Sequence, residues 1–142
     1  MISWRLSAAA FRLRDEVNAM FPKRDKKSDG ALGDVRHSAR ESDHNPDADG
    51  WVRAIDIDED LNGKDGSDPV SANRLAAAIV EIGKQDIRLK YVIFEGQIWS
   101  RTYRWKPQKY TGPNAHLHHI HVSFTSAGDM DASPFGLKGH FE

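Results

Sequence analysis

The sequence predicts an α+β domain, a small and mainly antiparallel sheet with flanking helices. Three observations predict it. Two stretches repeat apolar residues at three- and four-residue steps, others alternate or run in β-rich bursts, and a Glu-Gly pair between two such bursts marks a hairpin. The chain is 142 residues long, the size of one ordinary domain. No internal repeat, low-complexity run or Pro/Gly/Ser-rich linker interrupts it, so residues 1–142 read as a single domain.

The elements follow in order. Leu6, Ala9, Ala10, Leu13, Val17, Met20 and Phe21 share one helical stripe, which predicts an amphipathic helix over about residues 4–21, stopped before Pro22. Residues 22–50 are polar and rich in Asp, Gly, Ser and Arg; a loop of that length is disordered or functional, and Ser42-Asp43-His44-Asn45-Pro46 favours function. Val52 to Ile57 reads as a short strand with Val52, Ala54 and Asp56 on one face, since side chains alternate along a strand. Asp68 as N-cap, Pro69 at the first helical position and the stripe Leu75, Ala76, Ile79 and Ile82 predict a second helix ending near Gly83. Tyr91 to Trp99 reads as two strands around Glu95-Gly96. His118 to Phe124 reads as a strand, with His119, His121 and Ser123 on one face and Ile120, Val122 and Phe124 turned to the core.

Composition excludes several function classes. There are 20 basic and 21 acidic residues, a net charge of −1, so no phosphate-seeking field is expected. The absence of cysteine excludes disulfide frameworks, thiolate zinc sites and cysteine nucleophiles. Any metal is then held by nitrogen and oxygen. The first residues lack the continuous apolar run of a signal peptide, because Arg5, Arg12 and Arg14 interrupt them, so a soluble chain made in the cytoplasm is expected, with no membrane contact.

Seven histidines are present, and His116, His118, His119 and His121 fall within six residues. Two histidines one residue apart on a strand point the same way and can reach one centre. Zinc accepts imidazole nitrogen and carboxylate oxygen, and a catalytic site holds it by three protein groups with a fourth position open. His44, Asp56 and His121 supply such a set, with Asp58 a rival to Asp56 on the same strand face. A calcium loop starting at Asp56 is excluded, because its sixth and twelfth positions are Leu61 and Ser67 rather than Gly and Glu.

These residues resemble the zinc peptidoglycan peptidases that share a core with D-alanyl-D-alanine carboxypeptidases, lysostaphin-type enzymes and hedgehog proteins. The first motif of that family appears as Ser42-Asp43-His44, Gly50 and Ala54-Ile55-Asp56, and the second as His119-Ile120-His121. The runs Ser28-Asp29-Gly30, Gly33-Asp34, Asn45-Pro46-Asp47, Tyr110-Thr111-Gly112-Pro113-Asn114 and Val122-Ser123 are similar to peptidase domains of endolysins from phages of actinobacteria, so the resemblance covers residues 4–124. The interval from His44 to Asp56 is longer than in carboxypeptidase members, which implies that Asn45 to Asp49 loop out.

The resemblance implies a hedgehog-like or D-Ala-D-Ala-peptidase-like fold, Zn²⁺ on His44, Asp56 and His121, and hydrolysis of an amide bond in bacterial peptidoglycan. Asp56 is preferred to Asp58 because it follows Ala54 as the motif requires. His119 is the expected general base, from its place beside His121 on the strand face. His116, through the pattern His-x-x-His-x-His, is the second proton-handling candidate, and His118 a bystander. Arg40 is the expected substrate-binding arginine, with Arg36 and His37 as alternatives. A monomer is expected, with no separate wall-binding module, made in the host cytoplasm and acting on the wall after release. Two other readings compete. Asp43-His44-Asn45 with His119 is superficially that of a metal-dependent His-Asn-His nuclease, which the balanced charge opposes. A non-catalytic zinc-containing binding domain in the hedgehog manner is opposed by His119. Arg101, Arg104, Lys106 and Lys109, interleaved with Tyr103, Trp105 and Tyr110, suit nucleic acid or the anionic groups of a cell wall alike.

Overall fold

The computed structural model describes residues 4–24, 26, 47, 49–61, 69–112 and 119–141. Within them lie three helices, α1 (Ala8–Met20), α2 (Pro69–Gly83) and α3 (Leu137–Phe141), and seven strands, β1 (Arg5–Leu6), β2 (Trp51–Val52), β3 (Ala54–Asp58), β4 (Leu89–Phe94), β5 (Gln97–Ser100), β6 (Pro107–Lys109) and β7 (His119–Phe124). The expected α+β class is the one observed.

The first helix begins later than its apolar stripe. Arg5 and Leu6 are extended and pair in parallel with Trp51 and Val52. Helical turns start only where the Ser7 carbonyl accepts the Phe11 N–H at 3.0 Å, and the Ser7 hydroxyl donates to the Gly128 carbonyl at 3.1 Å. The helix ends at Met20, two residues ahead of Pro22, which cannot continue it. The strand expected over Val52 to Ile57 is broken at Arg53. There the guanidinium turns to Asp129, donating to both carboxylate oxygens at 2.8 and 2.7 Å, and to Asp47 at 2.8 Å. The second helix has the expected limits, while its expected cap, Asp68, lies outside the described residues.

Strands β3, β7, β4, β5 and β6 form one sheet in that order, each neighbour antiparallel. The β4–β5 connection has Glu95 at φ 50° and Gly96 at φ 76°. Two left-handed residues in a two-residue loop match the right-handed twist of the paired strands. Ile55 and Ile57, Val92 and Phe94, and Ile120, Val122 and Phe124 are buried on one sheet face in a single core with Leu13 and Val17 of α1 and Leu75 and Ile79 of α2. The opposite face carries Ala54, Asp56 and Asp58, and His119, His121 and Ser123.

The bulge between β4 and β7 keeps Leu89 off that second face. Leu89 pairs with Phe124, yet Tyr91 pairs with Ser123, so Lys90 is one residue in excess. Without it Leu89 and Tyr91 would share a face. With it Leu89 enters the core, and Tyr91 stays on the face of the histidines.

The C-terminal segment is fastened by long-range polar contacts. Glu16 of α1 accepts the backbone N–H groups of Phe135 and Leu137 at 2.8 and 3.0 Å, satisfying donors at the start of α3. Arg88, buried, grips Asp86, donates to the carbonyls of Asp131 and Ser133, and lies 3.9 Å over the Phe135 ring. No helix among the described residues is long and apolar enough to cross a membrane.

Candidate functional site

Antiparallel pairing of the edge strand β3 with β7 places Asp56 directly opposite His121, Asp58 opposite His119 and Ala54 opposite Ser123. Directly opposed residues share a face, so their side chains meet. Asp56 Oδ1 is 3.2 Å from His121 Nδ1, and Asp56 Oδ2 is 3.6 Å from His119 Nε2. One carboxylate therefore addresses both imidazoles of the His-x-His pair. The side chains are 12% exposed for Asp56, 16% for His119 and 5% for His121, so all three act in a poorly hydrated setting.

Asp56 and Asp58 meet different partners on this face. Asp58 Oδ1 accepts the Asp60 N–H at 2.9 Å, and the carboxylate is buried at the strand's end. Asp56 alone of the two has a carboxylate oxygen within 3.2 Å of His121.

His121 is held on three sides. Ser123 Oγ lies 2.7 Å from Nε2, Asp56 meets Nδ1, and the Tyr91 ring stacks on the imidazole at 5.4 Å with planes 14° apart. Because a hydroxyl both donates and accepts, Ser123 suits either tautomer. When Ser123 donates to Nε2, Nδ1–H donates to Asp56; when Nε2–H donates to Ser123, Nδ1 carries the lone pair and can act only as a hydrogen-bond acceptor or as a donor atom to a cation. Alternation alone put Ser123 on this face. Tyr91 reaches the same face by alternation with Val92 and Phe94 and pairs with Ser123, while the Lys90 bulge turns Leu89 into the core.

The fit of a metal can be tested on the described donors. Two atoms bound to a tetrahedral zinc at about 2.0–2.1 Å stand about 3.3–3.4 Å apart. The Nδ1–Oδ1 separation of 3.2 Å matches that edge, and the nitrogen–oxygen chemistry is the one zinc accepts. The third expected donor, His44, lies outside the described residues, as do Arg40, His116, Arg36, His37 and His118. Among the described residues no three His, Cys, Asp or Glu side chains form a complete metal-holding group.

Asp47, three residues after His44 in the sequence, accepts the N–H groups of Asp49 and Trp51, each at 2.9 Å. The Trp51 N–H is foremost in holding the Asp47 carboxyl below its ordinary value, with further help from Asp49 and Arg53. Arg53 thus joins Asp47, three residues after one expected ligand, to Asp129, and stands three residues before another, Asp56.

No protein-family model matches the chain, and no curated protein or solved structure is significantly similar to it.

Proposed function

We propose that this protein is a zinc metallopeptidase that hydrolyses an amide bond in the stem peptide or cross-link of bacterial peptidoglycan, in the manner of a phage endolysin. One observation carries the reading: Asp56 lies between His121 and His119, with the Asp56–His121 donor pair at zinc-ligand spacing. His44, Asp56 and His121 would hold the ion. Bound there, Zn²⁺ polarises the scissile carbonyl and lowers the pKa of water towards about 7.

His119 Nε2 takes the proton of the attacking water as the new C–O bond forms. It returns that proton to the amine as the C–N bond breaks. Asp56 Oδ2 lies 3.6 Å from His119 Nε2 and orients the ring. Tyr91 and Ser123 keep the His121 ring from rotating. His116 assists proton transfer, and Arg40 faces the negative charge that develops on the carbonyl oxygen. The protein acts as a monomer, made in the host cytoplasm and reaching the wall after release.

The test is digestion of purified walls with mass spectrometry of the released muropeptides. Chelation abolishes release and Zn²⁺ restores it; His119→Ala keeps near-stoichiometric zinc but loses turnover. Full activity of metal-free protein overturns the proposal. Loss of zinc from His119→Ala makes His119 a ligand instead, and nicking of DNA by the same preparation points to the nuclease.

A further inference from the structure

On the helix side of the sheet, away from Asp56 and His121, a groove of about 400 Å³ runs between α2 and the β5–β6 edge. Asn73, Ala77 and Glu81, at successive four-residue steps and all exposed, form one wall. Trp99 and its register partner Pro107 form the other, with Trp105 at the end. Trp99 is half-buried, so part of its indole faces the groove it shares with Ala77.

The groove is built by an unusual backbone. Arg104 and Trp105 are consecutive left-handed residues, at φ 56° and 64°, a conformation non-glycine residues rarely adopt. The turn is fixed by Trp105 N–H donating to the Ser100 carbonyl at 2.7 Å and by the indole lying against Gly83, where a Cβ would stand 2.6 Å from the ring. Arg101 donates to the Gly83, Asp86 and Leu89 carbonyls and braces the same corner. Strain of this kind persists where surrounding contacts enforce it, and it clusters at ligand clamps.

Charge is distributed unevenly. Residues 101–112 hold four cations and no acid in a chain of net charge −1. Arg101 is engaged with carbonyls, whereas Arg104, Lys106 and Lys109 are exposed and make no ion pair among the described residues. Inside the groove, by contrast, Lys84 is paired with Glu81 at 2.7 Å. The interior is aromatic and locally neutral, and the segment 101–112 that contributes Trp105 and Pro107 to its wall is cationic.

We propose that this groove binds a glycan of N-acetylhexosamine units whose branches carry carboxylates. A pyranose ring places its apolar C–H face on Trp99, its hydroxyl and acetamido groups meet the polar residues of the α2 wall, and the carboxylates reach Arg104, Lys106 and Lys109 of the adjoining segment. A polymer charged at every backbone repeat fits less well, because the one cation among the groove's lining residues, Lys84, is already paired with Glu81. The choice of a cell-wall glycopeptide as occupant rests on the peptidase reading; the groove does not. Strands β7 and β6 are three spacings apart, about 14 Å, and the two sites lie on opposite sheet faces, so holding and cutting are separable.

The experiment uses the chelated full chain and follows tryptophan fluorescence and indole N–H shifts on titration with soluble glycan strands bearing uncross-linked stem peptides. The peptide-free oligosaccharide and a DNA oligonucleotide are titrated in parallel. Saturable binding of the glycopeptide is expected. Ala77→Phe, at an exposed helix position, should weaken both carbohydrate ligands at least tenfold, and Lys106→Glu with Lys109→Glu should weaken the glycopeptide much more than the oligosaccharide. Absence of saturable binding, indifference to these substitutions, or tighter binding of DNA overturns the proposal. Cleavage of a sugar-free stem peptide by the zinc-loaded wild type reports on the peptidase reading alone, so failure of one reading is told from failure of the other.

Discussion

Ser123→Ala tests whether His121 is held as a ligand must be. Ser123 is fully buried and its Oγ is 2.7 Å from Nε2 of a histidine that is itself only 4% exposed. Removing the oxygen takes a partner from a buried ring nitrogen, which costs about 1–3 kcal/mol. With a midpoint shift of about 2–4 °C per kcal/mol for domains near this size, metal-free protein should melt roughly 2–12 °C lower. The second effect concerns the ion. Loss of an outer partner of a ligating histidine weakens metal binding about 10–100-fold, because no acceptor for Nε2–H then fixes the tautomer with its lone pair on Nδ1. Thermal unfolding with and without Zn²⁺ measures the first effect, and competition against a chromogenic chelator measures the second. Val122→Ala is the control. Its side chain is fully buried on the opposite face, so it should lower the melting temperature and leave zinc affinity near wild type. Equal zinc affinity in Ser123→Ala and wild type would refute the reasoning, since Ser123 would then do no more than fill space.

Two predictions concern the scaffold. Gly128→Ala puts a Cβ 2.5 Å from that of Ala9, so α1 or the Ser126–Gly128 turn must move; a loss of about 1–3 kcal/mol should appear as a lower urea midpoint at unchanged slope. Acid should act through Asp86. Hydrogen bonds from Arg88 hold its carboxyl below the ordinary value, so this pair stabilises the fold above the unfolded-state pKa of about 3.9 and ceases to do so as pH falls through the lower folded value. Asp86→Asn should flatten the acid limb of a melting-temperature profile between neutral pH and about pH 2, and an unchanged limb would show that other carboxylates govern it.

What was legible in the sequence was local. Pro69 at a helix start, a stripe of Leu75, Ala76, Ile79 and Ile82, the Glu95-Gly96 turn and the alternation of His119 to Phe124 each encode their conformation within a few residues, and each element lies where expected. The misses depend on distant partners. Arg5–Leu6 is extended because Trp51–Val52 lies beside it, and Arg53 interrupts a strand because Asp129 is within reach. Strand β6 is exposed along its length and bears no apolar periodicity at all. Helix α3 starts where Glu16, about 120 residues away, receives its free N–H groups. Within the site, alternation placed Asp56 and Asp58 on the same face and could not rank them. The register with β7 sets Asp56 opposite His121 and Asp58 opposite His119.

The two histidines of one motif are placed unequally, and the inequality suits unequal work. A ligand gains from immobility, since a ring that rotates loses the lone pair aimed at the ion. His121 sits among Asp56, Ser123 and Tyr91 with almost no exposure. A proton carrier needs access to water and to the leaving group, and a neighbour that orients it without locking it in place. His119 is three times as exposed at 16% against 5%, and its 3.6 Å to Asp56 Oδ2 lies beyond a good hydrogen bond yet within ion-pair range. Alternation explains why both imidazoles face Asp56. Depth explains why they need not do the same thing: His121 lies inside the three-strand centre of β3, β7 and β4, whereas His119 is the first residue of β7, at the end where the pairing with β4 has already stopped.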